Sequence, residues 1–219
     1  MPDPVLRKKL TPDYKIGCKR ILLSDDFYQT FRRPNVELVT DSISEITYNS
    51  IVTKNQQVYE ADAIVFATGF VVADIDDHPT IVGREGRILS KEWDQYGAEG
   101  FRGITVSGYP NMAFILGPNS GLSHSSALHI MESQMNYIND YIENLLASGG
   151  EKSYFDVKPG EQKTYNNELQ GKFKNTVWAS GCKSYYFNKR GKNTTIYPRL
   201  TRQYRRETRK FDVRNYNIF

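Results

Sequence analysis

Two short motifs in this sequence combine residue types that suit the binding of negative charge. Gly17-Cys18-Lys19-Arg20 sets two adjacent cations beside a glycine, which suits an anion or a developing negative charge. Gly117-Pro118-Asn119-Ser120-Gly121 is a turn sequence that comes shortly before a run with helical periodicity. The first N–H groups of such a helix carry a partial positive charge and would face an electron-rich ligand atom. Taken singly, each motif favours an ordinary interpretation, as a solvated pair of cations or a plain strand-turn-helix joint.

The spacing of the glycines excludes the usual phosphate cradle from this chain. No two of the 16 glycines are separated by a single residue, so the chain contains no G-x-G. The dinucleotide-binding fingerprint G-x-G-x-x-G is therefore absent, and no G-x-x-x-x-G-K-[ST] loop replaces it.

Composition indicates a folded, intracellular protein. The 219 residues carry 29 Lys+Arg and 25 Asp+Glu, a net charge of +4 that does not indicate a protein built to neutralise phosphates. Aromatic residues make up 13% of the chain, too many for a disordered one. The longest mostly apolar stretch, residues 61–73, is well short of a membrane span, and no secretory signal is visible. We therefore expect a cytoplasmic protein with no membrane partner.

The cysteines and histidines do not indicate a metal site. Cys18 and Cys182 are the two cysteines, too few for a disulfide framework or a four-ligand zinc site. In an intracellular protein we expect both to be free thiols. The three histidines have no carboxylate or cysteine grouping around them.

The apolar pattern predicts an α/β protein. The stretch to Phe31 shows no steady period and is assigned no regular element, whereas residues 36–58 predict a small antiparallel meander. The stretch 61–67, whose second half is apolar without alternation, and the continuous apolar run at 112–116 predict buried strands, the first of them buried on both faces. The Asp-, Gly- and Pro-rich stretch 74–110 predicts loops and short strands around Trp93.

Two helices are predicted in the second half of the chain. The first runs over about 125–147, where Ser123, Ser125 or Ser126 can cap its start. Its apolar residues recur at steps of three and four and define one face: Leu128, Met131, Met135, Ile138, Ile142 and Leu145. A weaker helix is suggested by i+4 spacing between Tyr165 and Val177. The tail after Gly181 is rich in Tyr and Arg.

In order and spacing, the motifs of this sequence resemble those of the class B flavin-dependent monooxygenases, and the Baeyer–Villiger monooxygenases look closest. The resemblance spans nearly the whole chain. It rests on Leu10 to Tyr14, Gly17 to Arg20, Ser24 to Tyr28, Arg33 to Val39, Asp62 to Phe70, Gly117 to Ser126, Trp178, Gly181 to Tyr186, Gly191 to Thr195 and Tyr197-Pro198.

The resemblance covers only the C-terminal portion of that family. It implies an incomplete FAD/NAD(P)-binding two-domain fold that lacks the front with both dinucleotide fingerprints. Residues 1–70 would be the end of the NADPH-binding domain and the crossing strand, and 71–150 the closing part of the FAD-binding domain. Residues 151–219 would be a C-terminal helix and the Tyr- and Arg-rich tail.

The resemblance also implies a function and a set of site residues. The family uses FAD and NADPH to insert one oxygen atom from O₂ into a carbonyl, amine or sulfide through a flavin peroxide. By match to the G-C-K-R motif, Arg20 is the catalytic cation that keeps this peroxide anionic, and Lys19 helps position the nicotinamide nucleotide. The remaining cofactor-binding residues are Gly69, Asn119, Ser125, Ser126 and Ala127.

The expected partners are a small-molecule substrate and the missing N-terminal half or another subunit. The isolated chain is expected to be inactive. The alternative is a non-catalytic truncated remnant or interaction module that does not bind flavin. Seven cations between Arg199 and Arg214 could form a nucleic-acid patch, but aromatic and acidic residues interrupt them. A solvated tail that packs its aromatics is favoured, without a nucleic-acid partner.

Overall fold

A computed structural model describes residues 3–73, 79–149 and 153–219, which divide into two units. Unit 1 comprises Met1–Tyr14 and Leu22–Phe70, and unit 2 comprises Lys15–Ile21 and Val71–Phe219. Residues 15–21 therefore associate with the C-terminal unit, although both flanking segments belong to unit 1. This assignment places Gly17 to Arg20 in the same unit as the predicted long helix.

Unit 1 contains a three-stranded antiparallel sheet that confirms the predicted meander. Its strands are β1 (Ile43–Ile46), β2 (Ser50–Thr53) and β3 (Val58–Glu60), in the order β1-β2-β3. The central strand pairs Ile51 with Ile46 on one side and with Tyr59 on the other.

Unit 1 also contains two short helices where no regular element was predicted. These are α1 (Pro4–Leu10) and α2 (Phe27–Thr30). The start of α1 is well specified, because Asp3 accepts a hydrogen bond from the Val5 amide at 2.8 Å and Pro4 occupies the first turn. The prediction of an irregular stretch to Phe31 was wrong because it weighed apolar periodicity above this capping signal.

The predicted buried strand at 61–67 is not formed. The segment has no strand assignment, and Val65 and Phe66 are 89% and 70% exposed. A strand buried on both faces needs neighbours that take its backbone hydrogen bonds and cover its side chains. Within the part of the chain that the structure describes, no strand pairs with it.

The regular secondary structure of unit 2 is mainly helical. Its two short strands, β4 (Phe155–Val157) and β5 (Tyr216–Ile218), pair antiparallel. Its α-helices are α3 (Leu89–Tyr96), α4 (Ala127–Ala147), α5 (Pro159–Lys172) and α6 (Thr201–Glu207). Its 3₁₀ turns are Arg84–Gly86, Phe173–Asn175, Val177–Ser180 and Val213–Asn215.

Helix α4 was predicted correctly, but its buried face is not the predicted apolar one. Its buried residues are Ile130, Ser133, Gln134, Tyr137 and Tyr141. Three members of the predicted face, Leu128, Met135 and Ile142, are 63%, 43% and 45% exposed. Hydrogen bonding allows the polar residues to be buried, since Gln134 donates to Tyr204 Oη at 2.8 Å. Part of the predicted apolar face of α4 is therefore exposed among the residues that the structure describes.

The core of unit 2 is built largely from aromatic rings. Phe155 stacks on Phe211, and Tyr137 meets Phe211 edge to face. The phenol oxygens of Tyr137 and Tyr216 lie 3.0 Å apart and share a hydrogen bond. As predicted, the C-terminal tail packs its aromatic residues, because Phe211 and Tyr216 are buried.

Two further predictions in unit 2 were wrong. Trp93 lies in α3, where loops and short strands were predicted, and residues 74–78 of that stretch lie outside the described residues. Residues 112–116 form no strand. The Leu116 backbone instead turns into the left-handed region, φ +56°, where its amide donates to Gln134 Oε1 at 2.8 Å. The predicted helix at 165–177 is α5, which begins earlier and ends at Lys172.

Candidate functional site

Arg20 lies beside the loop that leads into α4. Its Nη1 donates a hydrogen bond to the carbonyl oxygen of Leu122 at 3.2 Å, across 102 residues of sequence. Leu122 directly follows the turn Gly117–Gly121. Arg20 as a whole residue is exposed. The structure therefore brings together the two motifs that sequence analysis selected for the binding of negative charge.

A disulfide bond anchors the segment that carries Arg20. Cys18 and Cys182 are joined, with their Cα atoms 5.9 Å apart, and Cys18 is fully buried. The prediction of two free thiols was wrong, because cysteines 164 residues apart in sequence give no sign of spatial proximity. The bond fixes the backbone two residues before Arg20 to the segment that contains Tyr185 and Tyr186.

The buried side chain of Asn119 holds the turn Gly117–Gly121 in place. Its Nδ2 donates to the carbonyl oxygens of Asn193 at 2.8 Å and Ile196 at 2.9 Å. Its Oδ1 accepts from Gln170 Nε2 at 3.3 Å. Since both ends of the amide have partners within the chain, the side chain of Asn119 positions the turn.

Glycine is required at both ends of this turn because other backbone lies against it. A Cβ placed on Gly117 would lie 2.5 Å from the carbonyl oxygen of Gly103, and one on Gly121 would lie 2.9 Å from that of Thr195. Real Cβ atoms do not approach backbone so closely. The turn therefore packs between two neighbouring segments without room for side chains at these positions.

The start of α4 offers hydrogen-bond donors. Ser126 is the N-cap, and its hydroxyl accepts from the Leu128 amide at 3.2 Å. Ala127 is the first helical residue, and the first N–H groups of a helix have no intrahelical acceptor. The Ser125 and Thr201 hydroxyls share a hydrogen bond of 2.9 Å, which ties the helix start to α6.

The other predicted site residues lie in different surroundings. Lys19 is exposed next to Arg20. Gly69 belongs to unit 1, whereas the other six residues belong to unit 2. Its φ of +92° explains the glycine, while a Cβ there would meet no atom within 4 Å. No side-chain obstruction arises within the described chain at this position.

Two tyrosines near Arg20 were not selected as site residues from the sequence. The Tyr185 hydroxyl donates to the Tyr186 hydroxyl at 3.1 Å, and Tyr186 is buried. Burial raises the pKa of Tyr186 well above its ordinary value, and the Arg20 charge acts in the opposite direction. The Tyr186 phenol therefore stays neutral near pH 7. The signal that could have found them is their position three and four residues after Cys182, the disulfide partner of Cys18.

Neither a metal centre nor a membrane span is found among the described residues. No group of three or more His, Cys, Asp or Glu side chains there could hold a metal ion. No helix in the described ranges is long and apolar enough to cross a membrane.

Comparison with known proteins identifies relatives of much greater length. No protein-family profile matches the chain. A Baeyer–Villiger monooxygenase of Streptomyces coelicolor is 44% identical over 217 residues, which are 99% of this chain and 41% of that protein. A Baeyer–Villiger monooxygenase of Pseudomonas aeruginosa is 41% identical over 218 residues, again 99% and 41%. An FAD-binding monooxygenase of Aspergillus niger is 33% identical over 211 residues, 94% of this chain and 34% of that protein.

Solved structures of monooxygenases also match this chain over less than half of their own length. A steroid monooxygenase bound to NADP has a TM-score of 0.84 at 27% identity, covering 100% of this chain and 42% of that one. A closed cyclohexanone monooxygenase has a TM-score of 0.82 at 27% identity, with the same coverage. These matches show that the chain has a mixed α/β partial fold, which corresponds to about 42% of each monooxygenase structure. The chain is a homologue of the Baeyer–Villiger monooxygenases and spans about 41% of their length.

Proposed function

We propose that this chain is the C-terminal portion of an FAD- and NADPH-dependent monooxygenase that inserts one oxygen atom of O₂ into a carbonyl, amine or sulfide. The proposal rests on one observation above others, the hydrogen bond between Arg20 and Leu122. Two motifs that resemble those of flavin monooxygenases meet there, although they lie about 100 residues apart in sequence. In this proposal the isolated chain is inactive and needs the dinucleotide-binding portion.

Each candidate residue has a role that follows from its position. The Arg20 guanidinium stabilises negative charge that develops at the reacting oxygen, because it stays protonated and donates in a fixed fork. Lys19 contributes a second cation for the nicotinamide nucleotide. Gly69 supplies a backbone conformation that other residues adopt only with strain.

The residues at the start of α4 fit the electron-rich edge of a flavin ring. Ser125, Ser126 and Ala127 would hold that edge, where the helix dipole favours negative charge. FAD, when bound, supplies the activation of O₂ after reduction by NADPH. Asn119 acts indirectly by fixing the turn, because its own amide is fully engaged.

Uncovered apolar surface supports the need for a further portion. Leu128, Met135 and Ile142 project from one side of α4, and Val65 and Phe66 of unit 1 are exposed as well. We assign residues 1–70 to the end of the NADPH-binding domain, 71–150 to the closing part of the FAD-binding domain and 151–219 to the C-terminal helix and tail. The missing portion would cover these side chains and supply both phosphate cradles.

A fusion protein tests the proposal. The part of the Streptomyces coelicolor relative that precedes its matched region is joined to this chain, and the same part without this chain is the control. We expect the fusion to purify with FAD, to oxidise NADPH and to convert a panel of cyclic ketones, thioethers and amines. A folded fusion without flavin would refute the proposal and favour the alternative of a non-catalytic remnant.

Variants of Arg20 in the fusion test its role separately. The Arg20→Ala fusion should still bind FAD and oxidise NADPH. Its rate of oxygenated product formation should fall about 10²- to 10³-fold, and its release of hydrogen peroxide should rise. Arg20→Lys should not restore the product, since it lacks the planar fork. Lys15→Ala, which removes an exposed cation five residues away, is the matched control. Full product yield from Arg20→Ala would remove Arg20 from the active site.

A further inference from the structure

Four arginines line one side of α6 and its C-terminal extension. Arg202, Arg205 and Arg206 lie on one face of α6 at the spacing i, i+3 and i+4, and Arg209, two residues after the helix ends, lines the same cavity. All four are exposed, whereas Tyr204 of the same helix is buried. The helix therefore turns its aromatic residue to the core and its cations outward.

The part of the chain that the structure describes gives these arginines no carboxylate partner. The nearby acids are used elsewhere, since Glu207 pairs with Arg199 at 2.5 Å and Asp212 with Arg214 at 2.8 Å. Four uncompensated charges within eight residues repel one another, and an anion placed among them would relieve that repulsion.

The arginines face a cleft with a second, neutral wall. Ser133 and Asn136 of α4 and Thr208 complete a cavity of about 430 Å³, within the size range of small-ligand sites. An adjoining hollow of about 270 Å³ shares Arg202 and Arg205 and adds His129 and Glu132. Glu132 is the one carboxylate among the residues that line the two cavities, and its Oε2 lies 4.0 Å from Nδ1 of His129.

The shape and composition of the cleft select among anions. Guanidinium groups bind phosphate oxygens in pairs, and Ser, Thr and Asn add neutral donors. A helical segment of this length spans roughly 10 Å, which suits two or three linked phosphates rather than a long polymer. The aromatic residues Tyr204 and Phe211 are buried and cannot stack on nucleic-acid bases.

We propose that the cleft between α4 and α6 binds a small linear di- or triphosphate, either free or as part of a nucleotide. This site is distinct from the Arg20 region and does not depend on the proposed function. Its ligand contacts would come from the guanidinium groups of Arg202, Arg205, Arg206 and Arg209.

Calorimetric titration of the 219-residue chain with sodium tripolyphosphate tests the proposal, with orthophosphate and ATP as further probes. We expect saturable binding of tripolyphosphate and ATP at low salt and at least tenfold weaker binding of orthophosphate. The double variant Arg205→Gln/Arg206→Gln should weaken tripolyphosphate binding at least tenfold. The control Arg32→Gln/Arg33→Gln removes two exposed cations from unit 1 and should change it less than twofold.

Three outcomes would overturn the proposal. One is the absence of saturable tripolyphosphate binding at millimolar concentration. Another is equal weakening in both double variants, which would indicate unspecific attraction to a basic chain. The third is tighter binding of a 20-nucleotide single strand or of phosphatidylserine vesicles, which would assign the cleft to a nucleic acid or to a membrane surface.

Discussion

Replacement of Asn119 tests how the candidate site is held in place. The side chain is 1% exposed and bonds to carbonyl oxygens 74 and 77 residues away. Its backbone φ is +53°, in the left-handed region. Both features contribute to stability, and two substitutions separate them: Asn119→Gly removes only the hydrogen bonds, whereas Asn119→Ala also strains the backbone.

The expected losses follow from the partners left behind. Asn193 O keeps a donor, Gln170 Nε2 at 2.9 Å, but the buried Ile196 O loses its side-chain donor. An orphaned buried carbonyl costs about 1–3 kcal/mol and the other lost hydrogen bonds about 1 kcal/mol, so Asn119→Gly should lower the free energy of unfolding by about 2–4 kcal/mol. Asn119→Ala should lose a further ~1–2 kcal/mol through the left-handed conformation.

Urea unfolding followed by tryptophan fluorescence measures these losses. Both tryptophans lie in unit 2, and Trp178 packs in the same cluster as Ile196. Glu85→Gly is the matched control, because Glu85 is an exposed residue of unit 2 with φ +59°. The free energy of unfolding of Glu85→Gly should lie within about 0.5 kcal/mol of that of the parent chain, or above it. A loss below about 0.5 kcal/mol for Asn119→Gly would refute the assigned role.

Three further predictions concern the disulfide, alkaline pH and flavin. Cys18→Ser, Cys182→Ser and the double variant should each lower the free energy of unfolding by the same ~2–5 kcal/mol in non-reducing urea titrations, since each removes the one bond that closes a long loop. Unequal losses among the three variants would contradict this expectation. Burial raises the pKa of Tyr137 and of Tyr141 from 10.0 to about 12, so the unfolded chain releases these protons first. Their contribution is fully present below pH 10 and should be lost between pH 10 and 12, with tyrosinate absorbance at ~295 nm rising together with the loss of circular dichroism. Complete tyrosine ionisation in a chain that keeps its circular dichroism would contradict that expectation. The isolated chain should purify colourless, because it has no phosphate cradle, and a stoichiometric flavin spectrum after gel filtration would show otherwise.

Local signals in the sequence predicted the elements that depend on local interactions. The meander of β1 to β3 and the helix α4 were found near their predicted positions. The same signals could not predict contacts between distant segments. The Cys18–Cys182 bond spans 164 residues, and the hydrogen bonds of Gln134 place polar side chains in the core. Such contacts depend on the tertiary fold, which periodicity does not describe.

The candidate site residues were selected through resemblance, because the spacing of each motif alone did not single them out. Lys19-Arg20 and the turn Gly117–Gly121 had more ordinary interpretations when each was considered alone. Their place in an ordered series of motifs singled them out, and the structure brings Arg20 to the loop after the turn. The positioning role of Asn119 was not predictable, because its partners lie more than 50 residues further along the chain.

The failed predictions at 61–67, at 112–116 and on the apolar side of α4 have a common physical form. In each, an apolar pattern predicted burial, and the structure leaves members of it exposed: Val65 and Phe66, Ile115 and Leu116, and Leu128 and Met135. An apolar pattern indicates that a segment is suited to pack against other apolar residues. It does not indicate whether those residues belong to the same chain. Exposed apolar residues grouped in this way are typical of surfaces that contact another polypeptide, a ligand or a membrane. If the proposed function is correct, the preceding portion of the relative should bury these side chains in the fusion. Leu128→Ser and Met135→Ser should then lower the free energy of unfolding of the fusion. In the isolated chain the same substitutions should change the free energy of unfolding by no more than about 0.5 kcal/mol.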